Sequence, residues 1–334
     1  MRTFLTYDYE LFTGDVCGSV GNCLITPIME IVEILEQYHI KATFFVDASF
    51  LYRLNELRHI YPSLQSQWLL ITENIKNLNE KGHDIELHIH PQWYYSSFNG
   101  IQWIMDIKHF KLSDLDRQQV DIFVAKSKQL LEMIIGHAIH AFRAGGYSIQ
   151  ELDDYKEFFI KHELFIDSTV LSGMKYKSEN QSYDYSNIPN KSIYRFDNNI
   201  TKEDENGRVL ELPITTYYVN KLEYLNHLLF QKRNAVILKR AGDGKAIVPI
   251  KNSLFTRSLR ILQRDNYISA SFDDANANMV QRIFERQHNK NKDLVIISHP
   301  KLHSQFSLLK MNEFLVNACD KTEFFTVKQL TNNI

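Results

Sequence analysis

Short apolar segments alternate with longer amphipathic ones along this chain of 334 residues, and the alternation restricts its fold more than any other feature. Such an order is typical of parallel strands joined by crossover helices. The strand candidates are Thr3–Tyr7, Ala42–Val46, Asp84–His90, Ala141–Arg143, Phe165–Asp167, Val209–Leu212, Leu294–Ser298 and Phe324–Val327. Because no linker rich in Pro, Gly or Ser divides the chain, we expect one α/β domain over residues 1–334, built on a barrel of parallel strands.

Helix candidates separate the strands, and two longer stretches interrupt the order. The helix candidates are Pro27–Tyr38, Trp68–Lys81 and Leu115–Ile135. Their apolar residues recur at helical spacing, and Gly82 and Gly136 follow two of them as helix stops. We expect inserted loops near residues 93–114, where aromatic residues are dense, and near residues 174–208, which are mostly polar.

Composition and charge limit the functions that we consider. The formal net charge of −2 gives no electrostatic reason to expect nucleic acid or an anionic membrane as a partner. The three cysteines, Cys17, Cys23 and Cys319, do not form a disulfide framework. The first residues lack the apolar run of a signal peptide, and no stretch approaches the ~20 apolar residues that span a bilayer. We therefore expect a cytoplasmic protein without a membrane span.

The third strand candidate ends with two histidines on one face. Side chains alternate along a strand, so Glu86, His88 and His90 point to the same side. The two imidazoles start ~6.6 Å apart along the backbone, at ~3.3 Å per residue, and they can converge on one ion. The alternative is a pair of structural histidines that bind no metal.

Acidic side chains end the first strand candidate in the same way. Asp8 and Glu10 share a face, and a carboxylate beside two imidazoles gives the ligand set of a catalytic metal with an open position. A second carboxylate nearby can act as the base that deprotonates a water. Taken alone, a solvated strand end is the simpler interpretation of this acidic pair.

Three further strand ends carry polar side chains, namely Arg143, Asp167 and His299. In a parallel barrel the carboxyl ends of the strands meet at one face, where functional sites form. An arginine can keep a catalytic carboxylate ionised, and the glycines at 145 and 146 allow a ligand to approach the backbone closely. Together, the five strand ends predict one functional site.

An ordered set of motifs resembles the polysaccharide deacetylase superfamily (NodB-like, carbohydrate esterase family 4). The motifs are Thr6–Glu10, Ala42–Val46, Gly82–His90, Phe142–Tyr147, Asp167–Ser168, Leu210–Pro213, Ile297–Pro300 and Phe324–Leu330. The resemblance covers nearly the whole chain and rests on the order and spacing of these motifs. It implies a distorted (β/α)7-type barrel and a metal-dependent hydrolase that acts on an amide or ester of a sugar.

The resemblance also implies the roles of the acidic residues and the histidines. We assign Asp8 as the base, and Glu10, His88 and His90 as ligands of one divalent metal, with zinc as the expected ion. The family's first motif has two adjacent aspartates, but Tyr9 stands in the second place here. Asp8 and Glu10 could therefore exchange roles. The two histidines are also separated by one residue instead of the usual three.

The remaining roles follow from the later motifs. By resemblance, Arg143 would hold the base, His299 would donate a proton to the leaving group, and Asp167 would orient His299 or Arg143. The family's arginine motif contains prolines that this chain lacks, which suggests an altered substrate rim. The adjacent aspartates Asp273 and Asp274 match the family's first motif more closely than residues 6–10 do. They come far too late in the motif order, so we predict a coincidental or substrate-rim segment and not the base.

The implied function is removal of an acetyl group, N-acetyl more than O-acetyl, from a sugar or a carrier-linked saccharide. We expect Trp93, Tyr94, Gly145 and Tyr147 to contact that substrate, because aromatic rings stack on sugars and a glycine admits a ligand. Two alternatives stay open at this point. One is hydrolysis of another non-peptide C–N bond on the same fold, and the other is a catalytically decayed protein that only binds sugars.

Overall fold

The computed structural model describes residues 1–152, 154–178, 180–245 and 266–333. The strands in these ranges are β1 (Arg2–Tyr9), β2 (Thr43–Asp47), β3 (Asp84–Ile89), β4 (Ser97–Phe98), β5 (Trp103–Ile104), β6 (Ala141–Ala144), β7 (Ile166–Asp167), β8 (Lys175–Lys177), β9 (Ser182–Asp184), β10 (Tyr194–Phe196), β11 (Val209–Glu211), β12 (Thr216–Tyr218), β13 (Tyr267–Ser269), β14 (Leu294–Ser298) and β15 (Glu323–Phe325). All eight strand candidates of the sequence correspond to observed strands, with ends that differ by at most two residues.

The α-helices in the same ranges lie mostly between strands of the main sheet. They are α1 (Thr26–Gln37), α2 (Ala48–Leu57), α3 (Pro62–Glu80), α4 (Gln92–Tyr95), α5 (Arg117–Ile135), α6 (Tyr155–Lys161), α7 (Lys221–Arg233), α8 (Val280–Asn289) and α9 (Gln305–Ala318). Helix α3 begins six residues before the predicted start, because Pro62 fits its first turn. Helix α5 ends as predicted at Gly136, which has a φ of 80°. None of the described helices is long and apolar enough to cross a bilayer.

One curled sheet of nine strands forms the centre of the fold. Its order is β10-β11-β7-β6-β3-β2-β1-β14, and β15 pairs with the start of β1. All neighbours are parallel except β10 and β11. Strands β2 and β3 are buried along their whole length, as expected for parallel strands that are covered on both faces.

Backbone hydrogen bonds link the two sides of this sheet. The N–H of Ile214 donates to Val170 O (2.8 Å), and the N–H of Thr215 donates to Val295 O in β14 (3.1 Å). Ala270 then donates to Thr215 O (2.8 Å). The segment after β11 therefore connects β7 with β14, and the sheet curls into a distorted barrel. The predicted α/β class and barrel-like architecture are confirmed.

The two predicted inserted loops contain regular structure. Residues 93–114 include most of α4 and the β4–β5 hairpin, and residues 174–208 include the β8–β9 hairpin and β10. Strand β10 lies antiparallel to β11 and adds an edge strand to the main sheet. These short elements were not visible as periodic patterns, because two- and three-residue strands are too short to show alternation.

The strand register brings polar residues to one end of the barrel. Asp47 of β2 lies opposite His88 of β3, and His88 lies opposite Arg143 of β6. On the other side of β1, Tyr7 lies opposite Ser298, so that Asp8 and His299 follow at the same level. The carboxyl ends of five neighbouring strands therefore form one polar cluster.

Candidate metal and catalytic site

Six residues predicted from the sequence meet at this end of the barrel. They are Asp8, Glu10, His88, His90, Arg143 and His299, which come from the ends of β1, β3, β6 and β14. All except His299 are buried, and the side chain of His299 is 14% exposed. The site is therefore largely shielded from bulk water, which strengthens the electrostatic interactions within it.

Asp8 and Arg143 form a buried ion pair. The guanidinium Nη1 donates to Asp8 Oδ1 at 2.6 Å. Arg143 Nε donates to Ser168 O (2.7 Å), and Nη2 donates to Ser168 Oγ (3.0 Å) and Thr6 Oγ1 (3.0 Å). Burial alone would raise the pKa of Asp8, but the positive charge of Arg143 outweighs it, and the pKa lies below its ordinary value. Asp8 is therefore ionised near neutral pH.

Glu10, His88 and His90 form a compact set of potential metal ligands. Their ligand atoms all lie within 4.8 Å of one another. Glu10 Oε2 is 3.2 Å from His88 Nε2 and is also paired with His90 Nε2. The other nitrogen of His88, Nδ1, lies 2.8 Å from the carbonyl of Arg143, which can only accept. In the neutral ring Nε2 therefore carries the lone pair, as metal ligation requires.

The donor set fits a metal ion of the zinc type. Two imidazoles and one carboxylate are the three protein ligands of many catalytic zinc sites, which keep a further position open. One residue between the histidines is sufficient here, because both side chains stand on the same face of β3. The departure from the family spacing therefore still leaves three potential ligands close together.

Lys301 is a buried cation in the site that the sequence reasoning missed. Its Nζ donates to Glu10 Oε1 (2.8 Å) and to the carbonyl of Leu11 (2.7 Å). Burial raises the pKa of Glu10, but Lys301 and the histidine His90 lower it well below its usual range. Glu10 thus has one oxygen fixed by Lys301 and the other directed at the histidines. A lone lysine after a strand gives no signal of this kind in a sequence.

The backbone of His90 is held by a hydrogen-bonded turn from β2. Its N–H donates to Ser49 Oγ at 2.9 Å, and this hydroxyl also lies 3.0 Å from His90 O. The same hydroxyl donates to the carboxylate of Asp47, which caps α2 at Phe50 N (3.2 Å). The start of α2 therefore fixes the second histidine, an arrangement that sequence spacing does not reveal.

Gly145 lies against the ring of His90, and its contact with substrate stays a prediction. A Cβ atom at Gly145 would lie 2.6 Å from His90 Nδ1 and 2.7 Å from Cγ. Such distances are below van der Waals contact, so that any side chain at 145 would displace the ring. The observed position of the His90 ring therefore requires that residue 145 has no side chain.

We expect Gly145→Ala to lower metal affinity at least tenfold while the fold stays intact. The added methyl group would push the imidazole of His90 away from Glu10, and one ligand would be lost or strained. Isothermal titration with Zn²⁺ measures the effect. Gly21→Ala is the matched control, because a Cβ at Gly21 meets nothing within 4 Å. Equal zinc affinity of the two variants would contradict the role given to Gly145.

Asp273 is the hydrogen-bond partner of His299. The prediction that Asp273 and Asp274 form a coincidental or substrate-rim segment is therefore wrong for Asp273. Its Oδ2 lies 2.7 Å from His299 Nδ1, and its Oδ1 accepts from the N–H of His299 at 2.7 Å. The imidazole Nε2 then points to Asp8 Oδ2 (3.5 Å). Burial lowers the pKa of His299, but the carboxylates of Asp273 and Asp8 outweigh it and raise this pKa to about 9.

Asp167 does not take the orienting role that was expected of it. Its carboxylate accepts from Thr169 N (3.0 Å) and Thr169 Oγ1 (2.8 Å). It also shares a hydrogen bond with the buried carboxyl group of Glu211, and burial raises the pKa of both acids. The hydroxyl of Thr169 in turn accepts from Ala144 N at 2.9 Å. Asp167 therefore supports the end of β6, and Asp273 replaces it beside the histidine.

Trp93 and Tyr94 are part of the packing and not of the site, which corrects their predicted contact with substrate. Trp93 is 0% exposed, and its ring lies 4.6 Å from that of Phe50. Tyr94 stacks on Phe123 of α5 at 4.3 Å and shares a hydrogen bond with Ser127 (3.0 Å). The chain turns into α4 directly after His90, and this turn directs both rings toward the layer formed by α2 and α5.

We expect Trp93→Ala to lower the free energy of unfolding by about 3–5 kcal/mol, the cost of removing a buried large aromatic side chain. The kinetics of the folded fraction should not change, because the ring has no surface from which to contact a substrate. Urea unfolding and kcat/KM at a temperature where the variant is folded measure the two effects. A large loss of kcat/KM with unchanged stability would restore the substrate-binding interpretation.

Tyr147 is the predicted substrate contact that the structure places beside the site. Burial raises the pKa of its hydroxyl well above the usual value, and the nearby charge of Asp8 adds to this effect. The residue has a φ of 57°, and its carbonyl accepts from the hydroxyl of Tyr185 at 2.7 Å. The hydrogen bond from a second tyrosine holds this left-handed backbone near Asp8, and the contact of Tyr147 with substrate stays a prediction.

Comparisons with known proteins agree with this picture. Residues 24–154 match the family described as polysaccharide deacetylase. A Mycobacterium smegmatis protein provisionally assigned as a polysaccharide deacetylase has a similar structure, with a TM-score of 0.51 and 13% identity over 100% of this chain and 89% of that chain. A GH57 branching enzyme from Thermococcus kodakaraensis was solved in complex with glucose and additives. Its structure has a TM-score of 0.51 and 9% identity over 99% of this chain and 70% of that chain. No curated protein has a matching sequence.

Fold and site define an α/β-barrel enzyme whose polar centre lies at the carboxyl ends of parallel strands. The similar structures support the fold at these low identities, and the sequence match to the family covers residues 24–154. Over residues 24–154 the chain matches the polysaccharide deacetylase family, in agreement with the resemblance that the order of its motifs predicted.

Proposed function

We propose that this protein removes an acetyl group, N-acetyl in preference to O-acetyl, from a sugar or a carrier-linked saccharide with the help of one divalent metal. The observation that supports this most strongly is the position of Asp8. Its Oδ1 is bound by Arg143, while its Oδ2 lies 3.9 Å from His88 Nε2 and 3.5 Å from His299 Nε2. The ionised oxygen of a base therefore lies between the ligand set and a protonated imidazole.

Asp8 is better suited to be the base than Glu10. Both oxygens of Glu10 are engaged, one by Lys301 and the other by the two histidines. Asp8 has one oxygen held by Arg143, and this fixes its orientation without using the second oxygen. A base must have a free oxygen within reach of the attacking water. The geometry thus supports the assignment of Asp8 as base and Glu10 as ligand.

The residues of the site have separate roles in the proposed hydrolysis. Glu10, His88 and His90 would hold a metal ion of the zinc type, which when bound supplies a Lewis acid for the acyl group and the attacking water. Asp8 Oδ2 accepts the proton of the water as its oxygen attacks the acyl carbon.

His299 acts on the other side of the reacting group. Because its pKa is raised to about 9, the imidazole carries a proton at neutral pH and can give it to the leaving nitrogen. Asp273 holds Nδ1, so that Nε2 is the atom that delivers the proton. The C–N bond breaks, and the products are acetate and a free amine.

Metal analysis together with an acetate-release screen tests this proposal. The purified protein is assayed with zinc and after chelation against N-acetylated and O-acetylated sugars and oligosaccharides. We expect one metal ion per chain, acetate release from an N-acetylated sugar, loss of turnover on chelation and recovery on addition of Zn²⁺. Turnover that survives complete removal of the metal would contradict the metal-dependent reaction. Metal binding without acetate release from any of these compounds would contradict sugar deacetylation.

A further inference from the structure

Helix α7 packs on the barrel through one face only. Glu223 accepts from Arg282 of α8 at 2.7 Å, and the ring of Phe230 lies 5.7 Å from that of Phe306 in α9. Glu223 and Phe230 are seven residues apart and hence lie on the same side of the helix. None of the thirteen residues of α7 is fully buried. Within the described part of the chain, the opposite side of α7 faces solvent.

That opposite side combines leucines with basic residues. Leu222, Leu225 and Leu229 follow helical spacing, and they are 67%, 46% and 38% exposed. The chain after the helix adds Val236, which is 88% exposed, and Ile237, which is 49% exposed. Exposed basic residues accompany them, and we call the whole set the basic apolar face: Lys221, Leu222, Leu225, Leu229, Lys232, Arg233, Val236, Ile237, Lys239 and Arg240.

The charge of this part of the chain is opposite in sign to that of the whole. Residues 221–245 contain six Lys and Arg and two acidic residues, a net charge of +4, whereas the 334-residue chain has a net charge of −2. The acidic residues are Glu223, which is paired with Arg282, and Asp243, which binds Ser19. Neither acidic group neutralises the basic apolar face. The net charge of the whole chain gives no sign of this local positive charge.

The basic apolar face adjoins the candidate active site. The guanidinium of Arg240 lies 5.0 Å from the ring of Phe12, and the Nζ of Lys301 lies 4.8 Å from the same ring. The next residue, Ala241, donates to His303 O at 2.7 Å. One phenylalanine ring therefore separates the end of this face from the lysine that holds Glu10.

We propose that the basic apolar face docks this enzyme on a bilayer surface that carries anionic headgroups. Exposed leucine, valine and isoleucine side chains can enter the boundary between headgroups and acyl chains, while the surrounding lysines and arginines attract anionic lipids. A second copy of the chain is a poor occupant, because two faces of the same positive charge repel each other. Docking would place the active site near the headgroups, where a carrier-linked sugar can enter it. This use of the face rests on the proposed function, whereas docking itself does not.

Co-sedimentation of the full chain with vesicles tests the proposal. The vesicles contain phosphatidylcholine alone or phosphatidylcholine with 30% phosphatidylglycerol. We expect at least tenfold stronger binding to the anionic vesicles, weakened by added salt because exposed charges are screened. L225D/L229D should reduce this binding at least tenfold through its apolar part, and K232E/R233E through its charge. The matched controls are Met133→Asp on α5, where Met133 is 68% exposed, and Lys76→Glu on α3.

Several results would overturn the proposal. Binding to anionic vesicles that is absent, or that falls equally in the control variants, excludes docking by this face. A concentration-dependent dimer that L225D/L229D dissociates, together with no vesicle binding, identifies a second copy as the occupant. Release of acetate from a soluble N-acetylated sugar is measured on the same samples. Vesicle binding without acetate release would contradict the proposed function alone, and acetate release without vesicle binding would contradict docking alone.

Discussion

Replacing Asp8 by asparagine is expected to reduce kcat about a thousandfold and to leave the metal in place. General bases contribute on the order of 10²–10⁴ to rate, and asparagine keeps the shape of the side chain but cannot accept the proton. Metal binding should persist because Asp8 is not among the three converging ligands. Acetate release and metal content of the purified variant measure the two effects.

Glu10→Gln is the matched comparison for Asp8→Asn. It removes the same charge only two residues away, but it should lower metal content as well as turnover, because an amide is a weaker ligand than a carboxylate. Circular dichroism of both variants is needed, since an unpaired buried guanidinium at Arg143 costs about 3–5 kcal/mol. If Asp8→Asn lost the metal and Glu10→Gln retained it, the roles of base and ligand would be exchanged.

Asp273→Asn is expected to lower kcat/KM by at least about a hundredfold and to change its pH dependence. The carboxylate accepts from Nδ1 of His299 and raises the pKa of that imidazole to about 9. Since the reaction needs protonated His299, wild-type activity should persist up to about pH 9 and fall above it. Without the carboxylate the pKa falls, so the alkaline limb of the pH profile should move to lower pH. An asparagine can also favour the wrong tautomer, an effect that costs a serine protease about 10⁴ in kcat.

Asp274→Asn is the control for this prediction. Asp274 neighbours Asp273 and carries the same charge, but the hydrogen bonds to His299 are made by Asp273. The metal content of both variants should equal that of the wild type. A substitution of Asp273 that lowers activity without moving the alkaline limb would show that this residue acts only by supporting the fold near His299.

The net charge of the chain was a poor guide to its surfaces. A value of −2 over 334 residues gave no reason to expect an anionic partner. Only the structure shows that Lys221, Lys232 and Arg233 are exposed on the same side of α7 as its exposed leucines. Charge that is averaged over a chain contains no information about which residues share a surface.

The strand order and most of the site could be predicted from local patterns. Alternation of side chains along β3 places His88 and His90 on one face, independently of the tertiary structure. The same holds for Asp8 and Glu10 at the end of β1. The motif order then assigned these side chains to strands of one parallel barrel. Because parallel strands align their carboxyl ends, it followed that the side chains would meet.

Which distant residues complete the site was decided by the tertiary structure. Lys301 contacts Glu10, and Asp273 contacts His299, because the loops after separate strands converge there. Sequence position alone favoured Asp167, which instead pairs with the acid Glu211. Spacing along the chain determines the direction of a side chain within its own strand, but its partners depend on how loops far apart in sequence fold over the strand ends.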